Sequence, residues 1–217
     1  MNKKIVIIAA IVLLLAVFCA GGWYFYTFKY DYWRMQRLAK DVEYGNNFLQ
    51  QYLNATSRIT KNPDDAGAYA DLGAARAALK DYAGAEADYS IALKLDGNNI
   101  SILNGAAGFY VSRQDYQKAE DCYLKMLDVN PAYGPAYQGL VDLYNNYYTA
   151  KKGEIEGILK NGLENLPDDQ NLLALLASYY LTISGEREKA LVVYEKMLSL
   201  RPNDLLLKAE IKRLKAE

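Results

Sequence analysis

A pattern of apolar and small residues recurs about every 34 positions from residue 66 onward. Its first copy contains Tyr69, Leu72, Gly73, Tyr82, Ala85, Tyr89, Ala92 and Leu93. The second copy has Leu103, Ala106, Ala107, Tyr116, Ala119, Tyr123, Met126 and Leu127. Two further copies follow, the third with an expansion of about two residues and the fourth with a slightly longer loop. Such a period predicts stacked supersecondary units that bury their apolar faces against neighbouring units.

The spacing inside each copy is helical. Ala85, Tyr89 and Ala92 are separated by four and three positions, which places them on one face of a helix. A first helix precedes them, and the polar segment 80–82 marks the turn between the two. Arg76 stands on the first helix where the second copy has Tyr110. Each copy therefore predicts a pair of helices.

The pattern resembles the tetratricopeptide repeat. The first copy is similar to the family consensus over Tyr69-x2-Leu72-Gly73 and Tyr82-x2-Ala85-x3-Tyr89-x2-Ala92-Leu93. The resemblance implies an all-α fold, a right-handed α-solenoid of about four helix pairs, with repeats at 66–99, 100–133, 134–169 and 170–203. The third repeat departs most from the pattern. Its second helix contains Gly157 and Gly162, so we expect it to be the least stable.

Helical segments flank the repeats and are expected to cap them. Residues 29–65 are interpreted as a juxtamembrane helix followed by a degenerate first repeat or N-terminal cap, with a break at Gly45-Asn46-Asn47. Residues 204–217 are predicted to form a C-terminal capping helix with Asp204 as its N-cap. The apolar residues expected to cover the last repeat are Leu205, Leu206, Ala209, Ile211 and Leu214.

An uncharged apolar stretch, residues 5–28, follows a basic leader at 1–4. As a helix, this stretch is about 36 Å long and spans a hydrocarbon core of about 30 Å. We predict a single transmembrane helix that acts as a signal anchor, with aromatic residues at its end as in an interfacial belt. The predicted membrane-interface residues are Trp23, Tyr24, Tyr26, Lys29, Tyr30 and Trp33. A cleaved signal peptide, with small residues at 20–22, is the alternative.

The charge distribution differs between the ends of the chain. Residues 1–40 carry six basic residues and one acidic residue, a sum of +5, and residues 41–217 carry 19 basic and 25 acidic residues, a sum of −6. The basic part suits anionic lipid headgroups. Counting positive charges beside the span slightly favours a cytoplasmic repeat domain. The short basic leader favours the opposite, and we expect an extracytoplasmic repeat domain on a single-pass membrane protein.

Composition excludes most catalysis. The chain has no histidine and only two cysteines, Cys19 and Cys122. The usual zinc sites and histidine-based acid–base chemistry therefore cannot be assembled. We find no phosphate-binding glycine loop and no basic excess typical of nucleic-acid binders. The acidic residues of the repeats are interpreted as solvated helix faces. We therefore expect no enzyme activity, cofactor, metal or nucleic-acid partner.

Family resemblance also implies where a partner binds. In tetratricopeptide stacks, the first helix of each pair lines a concave groove that holds a peptide or helix of a partner protein. By helical phase, the predicted groove residues are Asn104, Gln138, Asp142, Asn145, Asn146 and Ser178. Amide side chains suit this role because they can both donate to and accept from a peptide backbone. Ala70 and Ala74 stand where chaperone-binding members begin their carboxylate clamp, which argues against that function.

Two functions remain open from the sequence. The first is a non-catalytic, membrane-anchored scaffold or adaptor whose repeat groove binds a peptide or helix during assembly of a membrane or envelope complex. The second is a permanent structural subunit of a membrane protein complex, held by its transmembrane helix and its convex face.

Overall fold

The computed structural model describes residues 29–216, in which every regular element is a helix. The α-helices are α1 at 29–40, α2 Gly45–Lys61, α3 Ala66–Ala78, α4 Tyr82–Leu95, α5 Ile100–Ser112, α6 Tyr116–Val129, α7 Gly134–Asn146, α8 Ile155–Asn165, α9 Gln170–Tyr179, α10 Arg187–Leu200 and α11 Leu205–Ala216. The leader 1–4 and the predicted span 5–28 lie outside the described residues. Across residues 29–216, no helix has the length and apolarity that a bilayer crossing requires.

Aspartate or asparagine side chains cap the beginning of several of these helices. Asp65 accepts a hydrogen bond from the backbone N–H of Ala68 at 2.8 Å. Caps of the same kind are Asn99, Asp115, Asp169 and Asp204. Each cap satisfies N–H groups that have no partner inside the helix. The predicted capping role of Asp204 is thus confirmed.

Left-handed residues close the turns between paired helices. Lys80 and Gln114, which lie 34 positions apart, have φ of 66° and 61°. In the fourth repeat, Gly185 adopts φ 71° at the corresponding turn. A residue after a helix adopts this conformation so that its N–H can reach back to the last turn.

The third and fourth repeats carry the irregularities that their spacing predicts. The expansion in the third repeat forms a 3₁₀ helix, Thr149–Glu154. The following α8 has 11 residues, whereas α4, α6 and α10 have 14. In the fourth repeat, the extra residue lies in a π-helical turn, Tyr180–Ser184, which continues α9. A single inserted residue is commonly accommodated as such a turn.

The break between α1 and α2 was predicted a few residues too late. It lies at residues 41–44, and Gly45 is the first residue of α2 rather than part of the break. A Cβ atom on Gly45 would stand 2.0 Å from the backbone oxygen of Ala39. The two helices therefore approach each other closely at this point, which only glycine permits.

The described residues form two compact units, 29–90 and 91–216, with the boundary inside α4. We call them the N-terminal unit and the C-terminal unit. The described core of the N-terminal unit lies among α1, α2 and α3, and it contains Met35, Ala39, Leu49, Tyr52, Ala55, Leu72, Ala75 and Leu79. Burial of this apolar surface is the main stabilising contribution. Helix α1 thus belongs to the same core as the first repeat helix.

In the C-terminal unit, each helix from α5 to α11 packs on the next. Two glycines allow close packing by lying under aromatic rings. A Cβ atom on Gly139 would stand 2.4 Å from the Tyr123 ring, and one on Gly162 would stand 3.1 Å from the Tyr137 ring. Gly157, by contrast, has open space around it.

Helix α11 covers the last repeat with only part of its apolar surface. Leu207, Ile211 and Leu214 are buried, whereas Leu205 and Leu206 are 76% and 83% exposed. Ala209 is exposed as well, so the prediction that Leu205, Leu206 and Ala209 help to cover the repeat is wrong. Helical phase explains this, because residues 207, 211 and 214 share one face that the first two leucines do not reach.

Candidate functional site

The six predicted groove residues are polar and lie on the first helices of three repeats in the C-terminal unit. We call these six residues the amide surface. Asn104 lies on α5, four residues lie on α7, and Ser178 lies on α9. Asn145 is half-buried, and the other five residues are exposed. Helices α7 and α9, which carry five of the six residues, contact each other.

The amide groups of this surface are not used by the fold. Within residues 29–216, the side chains of Asn104, Gln138, Asn145 and Asn146 make no hydrogen bond. Some other amides of the same unit act as caps or bind Tyr137, namely Asn99, Asn130, Asn161 and Asn165. The amide surface therefore presents donors and acceptors that an incoming chain can pair with.

Asp142 places a carboxylate next to these amides on α7. Loss of hydration raises its pKa above the ordinary value, and its charge in turn contributes to the raised pKa of Tyr123. The tyrosine ring is the one that packs over Gly139. Asp142 thus stands at the α6–α7 junction, where it adds negative charge to an otherwise neutral surface.

The N-terminal unit contains a polar cleft that the sequence did not predict. It has a volume of about 450 Å³ and is lined by Gln51, Asn54, Ala55, Arg58, Asp71 and Ala74. Arg58 forms ion pairs with Asp71, which also lines the cleft, and with Asp65. Predicting this cleft requires knowing which face of α2 packs on α3. The 34-residue period does not give that face, because α2 lies before the first repeat.

Arg76 is the centre of a charged cluster in the N-terminal unit. Its guanidinium donates to Asp31 at 2.7 Å and to Asp88 at 2.9 Å. Its Nε lies 3.6 Å from Asp81, and the guanidinium carbon lies 5.7 Å from the centroid of the Tyr52 ring. Helix α3 is thereby linked to α1, α2 and α4.

Arg34 on α1 completes the cluster. It binds Asp81 through two parallel hydrogen bonds of 3.0 and 2.6 Å and also donates to Asp31 at 3.0 Å. The Tyr52 hydroxyl donates to the other oxygen of Asp31 at 2.8 Å. Two-point arginine–carboxylate contacts are among the stronger hydrogen bonds in proteins. We call Asp31, Arg34, Tyr52, Arg76, Asp81 and Asp88 the Arg76 cluster.

The pKa values of two carboxylates in the Arg76 cluster shift in opposite directions. Burial disfavours the charged form of Asp31, but hydrogen bonds from Tyr52, Arg34 and Arg76 outweigh it and lower the pKa. At Asp88, burial dominates over the attraction of Arg76 and raises the pKa to about 6. Three carboxylates share two guanidinium groups, so the most deeply buried one is the hardest to keep ionised.

At the repeat position equivalent to Arg76, the third and fourth repeats have a tyrosine, and each tyrosine binds a glutamate. The hydroxyl of Tyr144 donates to Glu120, which is 3% exposed and also pairs with Lys151 of the 3₁₀ helix. The Tyr180 hydroxyl donates to Glu156 at 2.8 Å. In both cases the acceptor lies 24 positions before the tyrosine.

The interpretation of the repeat acids as solvated is therefore wrong for some of them. Asp81, Asp88 and Glu120 are 7%, 4% and 3% exposed. Each is paired with a cation or a hydroxyl group, as buried carboxylates require. Periodicity alone gives no sign of this, because their partners lie on other helices.

The membrane-interface prediction falls partly within the described residues. Trp23, Tyr24 and Tyr26 lie outside them. Lys29, Tyr30 and Trp33 lie on α1 and are exposed, Tyr30 at 60% and Trp33 at 58%. The Lys29 ammonium nitrogen is 5.1 Å from the centroid of the Trp33 ring. This arrangement places aromatic and basic groups side by side on one surface of α1.

No side-chain set for metal binding is found in the described part of the chain. Groups of three or more His, Cys, Asp or Glu that could hold an ion do not occur between residues 29 and 216. The three aspartates of the Arg76 cluster are instead neutralised by arginine. The arrangement provides ion pairing between helices and an exposed polar surface.

No protein-family model matches the chain. Solved structures do resemble it. YrrB, described as a TPR protein with an unusual peptide-binding site, is 20% identical and matches 75% of this chain and 82% of its own with a TM-score of 0.52. MamA is 15% identical over 68% of this chain and 85% of its own, with a TM-score of 0.55. PilF of Pseudomonas aeruginosa is 17% identical over 77% and 75%, also with 0.55.

The fold is that of tetratricopeptide repeat proteins. The paired helices, their period and these neighbours agree on this point. At such low identity, the likeness concerns the fold alone.

Proposed function

We propose that the protein is a non-catalytic, membrane-anchored scaffold whose amide surface binds a peptide or helix of a partner protein, in assembly of a membrane or envelope complex. The observation that carries this proposal is the set of exposed amides on the first helices that the fold leaves without hydrogen bonds. An extended peptide offers both N–H and C=O groups, and amides are the side chains that can pair with both.

The fold supports a binding role, because stacked helix pairs create extended surfaces on which partners bind. One structure with this fold, YrrB, is described as having a peptide-binding site. The amide surface is a different chemical environment from a carboxylate clamp, since its four amides carry no charge and Asp142 is acidic. We therefore propose a partner segment that is extended or helical and not strongly acidic.

Anchoring is proposed from the uncharged stretch 5–28 and from the exposed aromatic residues of α1 that follow it. We propose that the repeat domain is extracytoplasmic. Fusion of a reporter enzyme active only outside the cytoplasm to residue 217 tests the side of the membrane. Activity of the fusion supports the orientation, and its absence with full expression contradicts it.

The binding proposal is tested by crosslinking at a chosen position. A photoreactive amino acid at Gln138 in the full chain should crosslink to one protein in native membranes. The same group at Gln114, which is exposed in a turn away from the amide surface, should not. Crosslinking of equal yield and identity at both positions contradicts a role for the amide surface.

Charge substitutions give a second test. Gln138→Lys with Asn145→Lys should reduce recovery of the crosslinked partner several-fold without lowering the melting temperature, because neither side chain is used by the fold. The matched control is Gln114→Lys with Asn98→Lys, which changes two exposed amides in turns rather than on the first helices. Unchanged recovery in the first variant excludes the amide surface as the binding site.

A permanent structural subunit is the second candidate. It is favoured by exposed apolar side chains on second helices, Leu124 on α6 and Val192 on α10, at 44% and 66%. A stoichiometric complex that survives detergent extraction and sizing, and dissociates when these residues become serine, supports this candidate. A monomer that captures its partner only through the amide surface supports the scaffold.

A further inference from the structure

We propose that α1 connects the membrane to the repeats as a rigid helix. One face of α1 is fixed to the N-terminal unit by the Arg76 cluster, and the opposite face binds anionic lipid headgroups. This inference rests on the membrane anchor of the proposed function. It adds a second membrane contact, made by folded structure outside the span.

The inner face of α1 is part of the core. Met35 and Ala39 are fully or nearly fully buried, and Leu38 packs against the same core. The close approach of α2 at Gly45 leaves no room between the two helices. A helix held on one side by buried apolar contacts does not behave as a free tether.

Ion pairs fix the same helix at its other end. Asp31 and Arg34 together contact residues of α2 and α3 and the turn before α4. Because Asp31 is the only acidic residue of α1, its use in the Arg76 cluster removes negative charge from the outer face. The cluster therefore both fixes the helix and leaves its outer face basic.

The outer face has the composition of an interfacial helix. Tyr30, Trp33 and Arg37 are separated by three and four positions and share a face, flanked by exposed Lys29 and Lys40. Exposed aromatic rings next to basic side chains are typical of helices that lie at the boundary of headgroups and acyl chains. Asp41 and Glu43, the nearest acids, lie beyond the C-terminal end of the helix.

Anionic lipid fits this surface better than a protein partner for two reasons. The surface carries three cations and no carboxylate, and each cation near an anionic leaflet contributes about 1 kcal/mol. It also follows directly after the predicted span 5–28 in the chain. A length of 12 residues extends about 18 Å as a helix, which is enough to lie along the headgroup region.

The test uses the full chain in lipid discs of phosphatidylcholine, with or without phosphatidylserine. Trp23→Phe leaves Trp33 as the only tryptophan, since the chain has two. In anionic discs, Trp33 emission should shift to shorter wavelength, brominated lipid should quench it, and quenching by acrylamide should fall several-fold. Arg37→Glu with Lys40→Glu should reverse these changes. Lys208→Glu with Lys212→Glu on α11 is the matched control and should not.

Three outcomes overturn the inference or its basis separately. Equal acrylamide quenching in both discs shows that the outer face does not bind anionic lipid, even though the anchor holds. Shielding of Trp33 only in native membranes, without quenching by brominated lipid, shows that a protein covers it. Failure of the full chain to enter discs at all contradicts the proposed anchor instead.

Discussion

The repeat position of Arg76 carries a charged residue in the N-terminal unit and tyrosine in the C-terminal unit. In the C-terminal unit, Tyr144 donates to a glutamate 24 positions earlier, and the pair lies within the packed repeats. In the N-terminal unit, Arg76 occupies the slot and stacks on Tyr52, which also lies 24 positions earlier. A tyrosine–glutamate pair is satisfied by neighbouring repeats. The half-buried guanidinium of Arg76 pairs with several carboxylates, and one of them, Asp31, comes from α1.

The difference shows how a repeat protein becomes linked to a segment outside its repeats. A charged group removed from water requires ionic partners, whatever part of the chain supplies them. Arginine at position 76 therefore makes the first repeat depend on α1. At Tyr144 and Tyr180, the corresponding positions of the third and fourth repeats, the acceptors Glu120 and Glu156 belong to the preceding repeats.

The largest expected effect is loss of Arg76. Arg76→Ala leaves Asp88 buried without the cation that pairs with it, whereas Asp81 keeps Arg34, and it should lower the unfolding free energy of the N-terminal unit by about 3–5 kcal/mol. Urea denaturation followed by circular dichroism measures it. Arg58→Ala, which breaks exposed ion pairs in the same unit, should cost about 0–1 kcal/mol. Equal costs for the two variants would show that the Arg76 cluster is no more than a surface feature.

Removing the hydroxyl of the equivalent tyrosine should cost less. Tyr144→Phe removes a hydrogen bond to buried Glu120 but leaves Lys151 as its partner, so we expect a loss of about 2 kcal/mol. Tyr180→Phe should cost less still, because Glu156 also binds two exposed lysines. A cost for Tyr144→Phe as large as that for Arg76→Ala would contradict the distinction between the two slots.

We expect Asp88 and Asp31 to make the unfolding free energy depend on pH in opposite directions. The raised pKa of Asp88, about 6, means that the folded state binds a proton more readily than the unfolded state. Stability from this group should increase by about 1 kcal/mol as the pH falls from 7 to 5. The lowered pKa of Asp31 gives stability that is present above its unfolded pKa and lost as the pH falls through its folded pKa.

Asp88→Asn isolates that contribution. The difference in unfolding free energy between pH 7 and pH 5 should shift by the same amount relative to the parent chain, as measured by urea denaturation at each pH. An unchanged difference would show that Asp88 titrates normally.

Substitution of the glycines in α8 tests how much this helix limits the stability of the C-terminal unit. Gly157→Ala places a methyl group in open space and should stabilise the unit by about 0.5–1 kcal/mol through helix propensity. Gly162→Ala is the matched control in the same helix and should destabilise it, since a Cβ there meets Leu172 at 3.0 Å and Tyr137 at 3.1 Å. Thermal melts measure both. Stabilisation by both substitutions would contradict the described packing.

Much of the fold was predictable because the 34-residue period reports helix pairs directly. The amide surface stays a prediction from helical phase, and its residues are exposed or half-buried. The Arg76 cluster could not be predicted in this way. The period marked Arg76 as unusual at a slot that holds tyrosine in the second copy, but Asp31 and Arg34 lie more than 40 positions earlier, outside any repeat. Long-range ion pairs leave no periodic trace in a sequence.

Hydrogen exchange of α1 in the full chain tests the central claim, that the Arg76 cluster fixes this helix to the first repeat. Amides of residues 32–40 should be protected to a degree similar to those of α2 and α3. Arg34→Gln should lower protection of α1 strongly while leaving α5 to α9 unchanged. Rapid exchange of α1 in the parent chain, with α2 and α3 still protected, would contradict the claim.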